Sequence, residues 1–393
     1  MESCSVSSFS IFLLVVTLAF HSADARTLVF IFGDSTVDVG TNVFLEGSPG
    51  PFCPYGIDYP TNISTGRASN GYTLGDELAR RMGYEESPPP YLALVSSSSS
   101  FLNGVNFASG GSGIFDSTGW HLTPRPLSLR DQIRQFSTVR DTIIAELGRE
   151  EAARLLSQAL FIVSDGGNDF AEYIRNLTAP IQWPSQFLRD LASTYQVHFQ
   201  DLYNLGARKF GIVGIPPIGS TPVIKDNLGF LGQYIVNLAS QRFYDDTKKF
   251  MEDFKLEGMH YSLGNAIAFT NDVIRFPWFY GFREVEKACW NEFNGTYISF
   301  SGEEAVGISC RNWNGPLCPN RDQYFFFDPF HPTQRAAELG SEALFHGGTN
   351  YAEPINFSGL VSIGIDQNPT QKATPDFGEF PLSGRKTKYL GTY

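Results

Sequence analysis

Short apolar runs alternate along the chain with longer stretches in which apolar residues recur at helical spacing. Five of the runs predict buried strands, because β-branched and aromatic residues dominate them and turn residues bound them. These runs are 27–32, 105–108, 159–163, 209–213 and 259–263. The helical stretches are 74–82, 127–157 with a break at Gly148, 183–205, 229–256 and 333–345.

Strands that alternate with helices predict an α/β fold, with a parallel sheet covered by helices on both faces. In such folds the functional site lies at the carboxyl ends of the strands. Four glycine-containing segments each follow a predicted strand: GDS (33–35), ASGG (108–111), GGND (166–169) and GIPP (214–217). We therefore expect these segments to meet at one edge of the sheet. Loops are predicted at 47–70, at the serine run 96–100 and at 277–322.

The first of these segments contains a candidate nucleophile, Ser35, at an expected strand-to-helix turn. A serine needs a base to remove its proton, and histidine is the usual one. His331 follows Asp328 by three residues, a spacing that lets the carboxylate accept the Nδ1–H and fix the tautomer. Taken alone, the Asp-x-x-His pattern is also typical of a surface turn, and Gly-Asp-Ser of a helix N-cap.

Acyl transfer also needs hydrogen-bond donors for the oxyanion. The Ser35 N–H, the Gly110 N–H and the side-chain amide of Asn168 are the candidates. Glycine and asparagine are equally common in plain tight turns after strands, so each donor is a weak signal alone. Their placement after three successive strands, with the Asp-His pair near the end, favours the catalytic interpretation. The Gly-x-Ser-x-Gly elbow does not occur around Ser35.

The N-terminus resembles a targeting segment. An apolar run at 11–20, too short to span a bilayer, precedes the small-x-small sequence Ala23-Asp24-Ala25. We predict a signal peptide at 1–25 and a secreted mature chain, the alternative being a buried N-terminal helix. The glycosylation sequons agree with export and lie at Asn62, Asn176, Asn294 and Asn356. The polar segment 364–393 predicts a disordered tail, and no later run predicts a transmembrane helix.

Four cysteines remain after the signal peptide: Cys53, Cys289, Cys310 and Cys318. In an oxidising compartment they can form two disulfides, with three possible pairings. The short loop between them favours Cys310–Cys318. No Cys-x-x-Cys pair or histidine cluster has metal-ligand spacing, so neither a metal nor another cofactor is expected. The net charge of −12 argues against a nucleic-acid partner.

The motifs, taken in order, resemble the plant branch of the GDSL esterase/lipase family, within the SGNH hydrolases. The matching stretches, which run from about residue 28 to 361, are FGDSTVDVG (32–40), PYGID (54–58), TGR (65–67), NFASGG (106–111), GND (167–169), GIPPIG (214–219), YGF (280–282) and DPFHPT (328–333). The chain departs from the family pattern at Gly40-Thr41-Asn42 and at Cys289-Trp290.

The resemblance implies a three-layer flavodoxin-like α/β fold over 26–363, with a central, mostly parallel five-stranded sheet. It also implies ester hydrolysis through an acyl-enzyme. Ser35 would be the nucleophile, His331 the base and Asp328 its partner, with Ser35, Gly110 and Asn168 forming the oxyanion hole. The protein would then be extracellular, in the cell wall or apoplast of a plant.

Two other functions stay open at this point. The same acyl-enzyme could be captured by an alcohol other than water, which would make the protein an acyltransferase. Alternatively, the chain could be a secreted glycoprotein without catalysis, although all four catalytic residue types are present. The substrate is equally open: an acyl lipid, an acetylated sugar and a phenolic ester, free or on a polymer, are all compatible with the sequence.

Overall fold

The computed structural model describes residues 26–47, 50–119, 126–175, 185–254, 256–291 and 307–364. The predicted signal peptide, the sequons at Asn176 and Asn294 and the tail from residue 365 lie outside the described residues. Within the described ranges, no helix is long and apolar enough to cross a membrane.

In the described part of the chain, ten strands form one large sheet and two small ones. The strands are β1 (Val29–Gly33), β2 (Ile63–Ser64), β3 (Val105–Asn106), β4 (Leu160–Ser164), β5 (Lys209–Val213), β6 (His260–Gly264), β7 (Glu284–Ala288), β8 (Ile308–Ser309), β9 (Tyr324–Phe326) and β10 (Ala352–Glu353). The large sheet has the order β10-β6-β5-β4-β1-β3, and all its pairs are parallel except β10 with β6. The small pairs are β2 with β8 and β7 with β9.

Helices follow most of the strands and cover the sheet. They are α1 (Leu74–Arg81), α2 (Tyr91–Ser97), α3 (Leu129–Leu147), α4 (Arg149–Gln158), α5 (Gly167–Arg175), α6 (Ser185–Asn204), α7 (Pro222–Asn227), α8 (Phe230–Asp253), α9 (Ala266–Arg275), α10 (Gln334–His346) and α11 (Phe357–Ser362). Short 3₁₀ turns lie at Thr41–Phe44, Ile218–Ser220, Pro277–Tyr280 and Arg321–Gln323.

The two faces of the sheet are buried in separate cores, which makes the fold three-layered. On β1, Phe30 and Phe32 face the core that α3, α4, α6 and α8 complete, whereas Val29 and Ile31 face the core of α1, α10 and α11. Alternate residues of a strand point to opposite faces, so an all-apolar run such as β1 fits a sheet buried on both sides. The predicted three-layer α/β fold is confirmed, and among the described residues the central sheet has six strands rather than five.

The sixth strand and several helices have no clear sequence signal. Strand β10 has only two residues and pairs antiparallel at the edge, so no apolar run marks it. Helix α2 extends through Ser96 and Ser97, which were expected to lie in a linker; it ends where Ser98 adopts a left-handed conformation. Strand β7 lies in the segment 277–322, which was expected to be a loop throughout.

The disulfides are Cys53–Cys310 and Cys289–Cys318, so the predicted Cys310–Cys318 bond is wrong. Backbone pairing explains the result. Strand β8 pairs with β2 and leads directly into Cys310, whose N–H donates to the Asn62 carbonyl at 2.7 Å. This pairing places Cys310 beside the loop of Cys53. The Cys318 N–H donates to the Cys289 carbonyl at 3.1 Å, which aligns the second pair.

The two described sequons use their side chains inside the structure. The Asn62 amide donates to the Ile57 carbonyl at 2.8 Å. The Asn356 amide donates to the Gly347 carbonyl at 3.0 Å, and its oxygen caps α11 by accepting from the Gly359 N–H. Both asparagines are partly buried. Glycosylation at either position therefore stays a prediction.

The long loop before α1 is fixed by a buried ion pair. Arg67 donates to both carboxylate oxygens of Asp76 at 2.8 Å, and the two side chains are 6% and 0% exposed. Asp76 also accepts from the backbone N–H groups of Thr73 and Ser87. A bidentate pair with additional donors is the arrangement that compensates a buried charge. It holds the 50–70 loop against α1, and residues of this loop line the cavity of the site described next.

Candidate active site

Ser35 lies at the carboxyl end of β1, in a turn rather than at the start of a helix as expected. The N–H groups of Val37 and Asp38 donate to the Asp34 carbonyl, and the Asp34 carboxylate accepts from the Thr36 N–H and hydroxyl. Gly33 permits the close approach of β4, because a Cβ there would lie 2.0 Å from the Ser164 carbonyl oxygen. The turn therefore leaves Ser35 half-buried at the sheet edge.

The Asp328–His331 loop brings a base onto this serine. His331 Nε2 lies 2.7 Å from Ser35 Oγ, and His331 Nδ1 lies 2.7 Å from Asp328 Oδ2. The loop is closed by the Phe327 N–H, which donates to the His331 carbonyl at 2.8 Å. Asp328 Oδ1 accepts from the N–H groups of Phe330 and His331 at 2.7 Å each. The structure thus joins Ser35, His331 and Asp328 in the order that the sequence predicted.

The electrostatics favour a basic His331. Burial lowers its pKa, but the charge of Asp328, the hydrogen bond to that carboxylate and the charge of Asp34 together raise the pKa above the ordinary value of 6.5. Burial raises the pKa of Asp328, yet the His331 charge and the hydrogen bonds that it accepts hold this pKa below its ordinary value. Asp328 is therefore ionised and can stabilise an imidazolium.

Asn168 and Ser35 lie together at the cavity wall. Asn168 is the second residue of α5, directly after β4, and its side-chain N–H donates to the Ser112 carbonyl at 2.8 Å. That bond uses one of the two amide hydrogens and fixes the side chain. Within the described part of the chain, the backbone N–H of Ser35 has no acceptor. Both groups can therefore donate to an oxygen that develops charge beside Ser35 Oγ.

Gly110 does not fit the role of oxyanion donor, because its N–H already donates to Asp38 Oδ2 at 2.9 Å. Asp38 is a buried anchor that also accepts from the N–H groups of Gly40 and Thr41. The next residue, Gly111, lines the same cavity, and no acceptor for its N–H lies within the described residues. Its φ of +87° is readily reached only by glycine. The geometry therefore favours Gly111 as the donor from this segment.

Gln132 of α3 links the end of β1 to the loop that follows β3, and it was not predicted from the sequence. Its oxygen accepts from the Gly33 N–H at 2.8 Å, and its amide donates to the Gly33 carbonyl and to Ser112 Oγ at 2.9 Å each. Gln132 is fully buried. It ties the strand that leads to Ser35 to the segment that holds Asn168. No motif marks it, because it lies far from both segments along the chain.

Three buried carboxyl groups lie beneath the site. Burial raises the pKa of Asp34, and burial together with the charges of Asp34 and Asp169 raises the pKa of Asp165 well above its ordinary value. Asp165 accepts from Ser112 Oγ at 2.8 Å. Burial also raises the pKa of Asp169 to about 6, although three donors from the 114–118 segment bind it. These groups organise the loops around the site.

A cavity of about 790 Å³ opens beside Ser35 and His331. Apolar side chains from four parts of the chain form much of its wall, among them Ile215, Ile218, Ile224, Phe269 and Phe326. The GIPP segment after β5 contributes to this wall, as its position at the sheet edge predicted. A concave, mostly apolar site with a few convergent polar groups is typical of a small-molecule binding site.

The chain is similar to known proteins over most of its length. The model of the GDSL-like lipase/acylhydrolase family matches residues 29–344. The chain belongs to the GDSL lipase/acylhydrolase family. One GDSL esterase/lipase of Arabidopsis thaliana is 34% identical over 351 residues, which cover 86% of this chain and 91% of the relative. A second from the same plant is 33% identical over 358 residues, covering 85% and 89%.

Family membership confirms the predicted resemblance and identifies the chain as a carboxylic ester hydrolase. Among solved structures, a carbohydrate esterase aligns with 62% of this chain and 61% of its own, at 13% identity and a TM-score of 0.31. That likeness is too low to support an inference about substrate.

The raised pKa of His331 predicts where the rate of this hydrolase falls in acid. A base must be neutral, so kcat/KM should decrease as the pH drops through the His331 pKa, which lies above 6.5. Measuring kcat/KM for p-nitrophenyl butyrate between pH 5 and 9 gives the inflection. An inflection below pH 6.5, or a flat profile, would contradict a His331 whose pKa is raised by Asp328 and that acts as the base.

Proposed function

We propose that this chain is a secreted serine esterase in which Ser35 forms the acyl-enzyme. The observation that carries the proposal is the continuous hydrogen-bond path from Asp328 through His331 to Ser35 Oγ, with 2.7 Å at each step. Ser35 Oγ attacks the carbonyl carbon of the ester while His331 Nε2 takes the hydroxyl proton. The imidazolium then gives this proton to the leaving alcohol.

The developing oxyanion needs donors that are already in place. We assign this role to the N–H groups of Ser35 and Gly111 and to the side-chain amide of Asn168. In the second half of the reaction, His331 takes a proton from water, the hydroxide attacks the acyl carbon, and the proton returns to Ser35 Oγ. In serine hydrolases, each oxyanion donor typically raises kcat by a factor of about 10²–10³.

Secretion is part of the proposal. The apolar run at 11–20 and the Ala23-Asp24-Ala25 sequence supply a cleavable signal, and two disulfides fit an oxidising compartment. The Cys53–Cys310 disulfide anchors the loop whose residues 50–52 and Tyr55 line the cavity, and the Cys289–Cys318 disulfide belongs to the buried cluster of Tyr55 and Phe327. A reducing cytosol would leave these segments without their covalent links.

Removing the nucleophile tests the mechanism. Ser35→Ala should lower kcat for p-nitrophenyl butyrate by about a thousandfold or more, because binding and oxyanion donors alone remain. Ser69→Ala is the matched control, since this buried serine donates to the Tyr72 carbonyl and not to the site. Circular dichroism verifies that both variants fold. Full activity in Ser35→Ala would rule out the assignment.

The apolar wall of the cavity favours an ester with an aliphatic acyl chain over one whose acyl part is acetate. Burying one methylene is worth about 0.8 kcal/mol, or roughly fourfold in kcat/KM while the chain stays in contact with the wall. We therefore expect kcat/KM to rise from p-nitrophenyl acetate through butyrate to octanoate. Replacing Ile224 by serine should reduce the preference for octanoate and leave acetate turnover nearly unchanged. A kcat/KM that falls from acetate to butyrate and octanoate, or preferential cleavage of acetylated sugars, would refute this substrate class.

A further inference from the structure

We propose that Tyr55 is a positioning residue that sets the orientation and charge of the Asp328–His331 pair. The inference rests on the proposed function. The Tyr55 hydroxyl donates to Asp328 Oδ2 at 2.5 Å, and this is the oxygen that faces His331 Nδ1 at 2.7 Å. Tyr55 lies in the PYGID stretch (54–58), for which no chemical role was predicted from the sequence.

Among the residues that the structure describes, Tyr55 is the one donor that ties this carboxylate to another part of the chain. Among the described residues that donate to Asp328, the other donors are the Phe330 N–H, the His331 N–H and the His331 ring, all on the loop of Asp328 itself. Four donors match the approximately four lone-pair sites of a carboxylate. Without Tyr55, the Asp328–His331 loop would hold its carboxylate only through its own atoms.

The Tyr55 ring is fixed on several sides, so its hydroxyl has a defined direction. Its centroid lies 5.0 Å from the ring of Phe52, 5.5 Å from that of Trp290 and 5.6 Å from that of Phe327. The Cys53–Cys310 disulfide begins two residues before it. Tyr55 is buried, with 8% of its surface exposed. A hydrogen bond to an ion from such a preorganised group is worth more than one from a mobile side chain.

The hydroxyl also moderates the charge that His331 experiences. A donor on Oδ2 stabilises the ionised carboxylate and draws negative charge away from the imidazolium. The groups that set the charge environment of His331 are Asp328 on its own loop and Asp34 on the turn after β1. Asp34 is untouched by a change at Tyr55. Loss of the hydroxyl should therefore raise the pKa of His331 through Asp328 alone.

The experiment compares Tyr55→Phe with Tyr59→Phe. Phenylalanine keeps the ring and its three aromatic contacts, so only the hydroxyl is lost. Tyr59 is the matched control because it lies four residues later, is also 8% exposed, and donates its hydroxyl to Glu86 instead of Asp328. We would measure kcat and KM for p-nitrophenyl butyrate from pH 5 to 9, and confirm folding by circular dichroism and thermal unfolding.

For Tyr55→Phe we expect kcat to fall about tenfold or more and KM to stay within about twofold of the wild-type value, as for loss of a hydrogen bond to a charged group. The acidic limb of the pH profile of kcat should move to higher pH. Tyr59→Phe should change neither the limb nor kcat. A folded Tyr55→Phe enzyme with wild-type kcat and an unmoved limb would overturn the inference. Equal displacement in both variants would also overturn it, because the effect would then belong to the loop and not to the hydroxyl.

Failure of the inference about Tyr55 can be distinguished from failure of the proposed function. If Ser35→Ala is inactive and Tyr55→Phe is unchanged, the mechanism stands and only the role of Tyr55 is wrong. If Ser35→Ala retains activity, the proposed mechanism is wrong. The Asp328–His331 pair then has no role in the reaction, and neither has Tyr55.

Discussion

The hydrogen bond between His331 Nε2 and Ser35 Oγ joins two segments that lie 296 residues apart in the chain. Neither segment determines this contact locally. Ser35 is positioned by the end of β1, which is buried between β3 and β4, and His331 by a loop that follows β9. The sheet, the disulfide-linked loops and the aromatic packing around Asp328 together fix the 2.7 Å distance.

Burial of carboxyl groups is the second constraint on this site. Asp34, Asp38, Asp165, Asp169 and Asp328 are all buried near the sheet edge. An unpaired carboxylate in such a place would be strongly destabilising, so each accepts hydrogen bonds from backbone or side-chain donors. Those same bonds align the loops that hold Asn168, Gly111 and His331. The hydrogen bonds that compensate the burial of these carboxyl groups therefore also orient the groups to which we assign catalytic roles.

The sequence predicted the parts of the fold that depend on local periodicity. Strands β1 and β5, helix α3 and its break at Gly148 all follow from patterns of apolar residues, and parallel topology then brought the segments after the strands to one edge. Contacts that depend on the folded backbone could not be predicted in this way. The Cys53–Cys310 disulfide follows the pairing of β2 with β8, and strand β10 is too short to leave a pattern.

The site shows the same division. Ser35, Asp328 and His331 have residue types and spacing that signal acyl transfer, and the structure brings them together. Gly110 and Gly111 are indistinguishable in sequence, and in the structure the bond from Gly110 to Asp38 and the φ of +87° at Gly111 separate them. Tyr55 and Gln132 reach the site from distant loops and helices, and no motif assigns them a function.

The central claim is that His331 and Asp328 activate Ser35, and covalent trapping tests it most directly. A fluorophosphonate reacts with a serine in proportion to its activation by a base. After incubation and proteolysis, mass spectrometry should find one adduct, on the peptide that contains Ser35, and labelling of His331→Ala should be slower by about a thousandfold. An adduct on another residue, or equal labelling rates in the two proteins, would contradict the account.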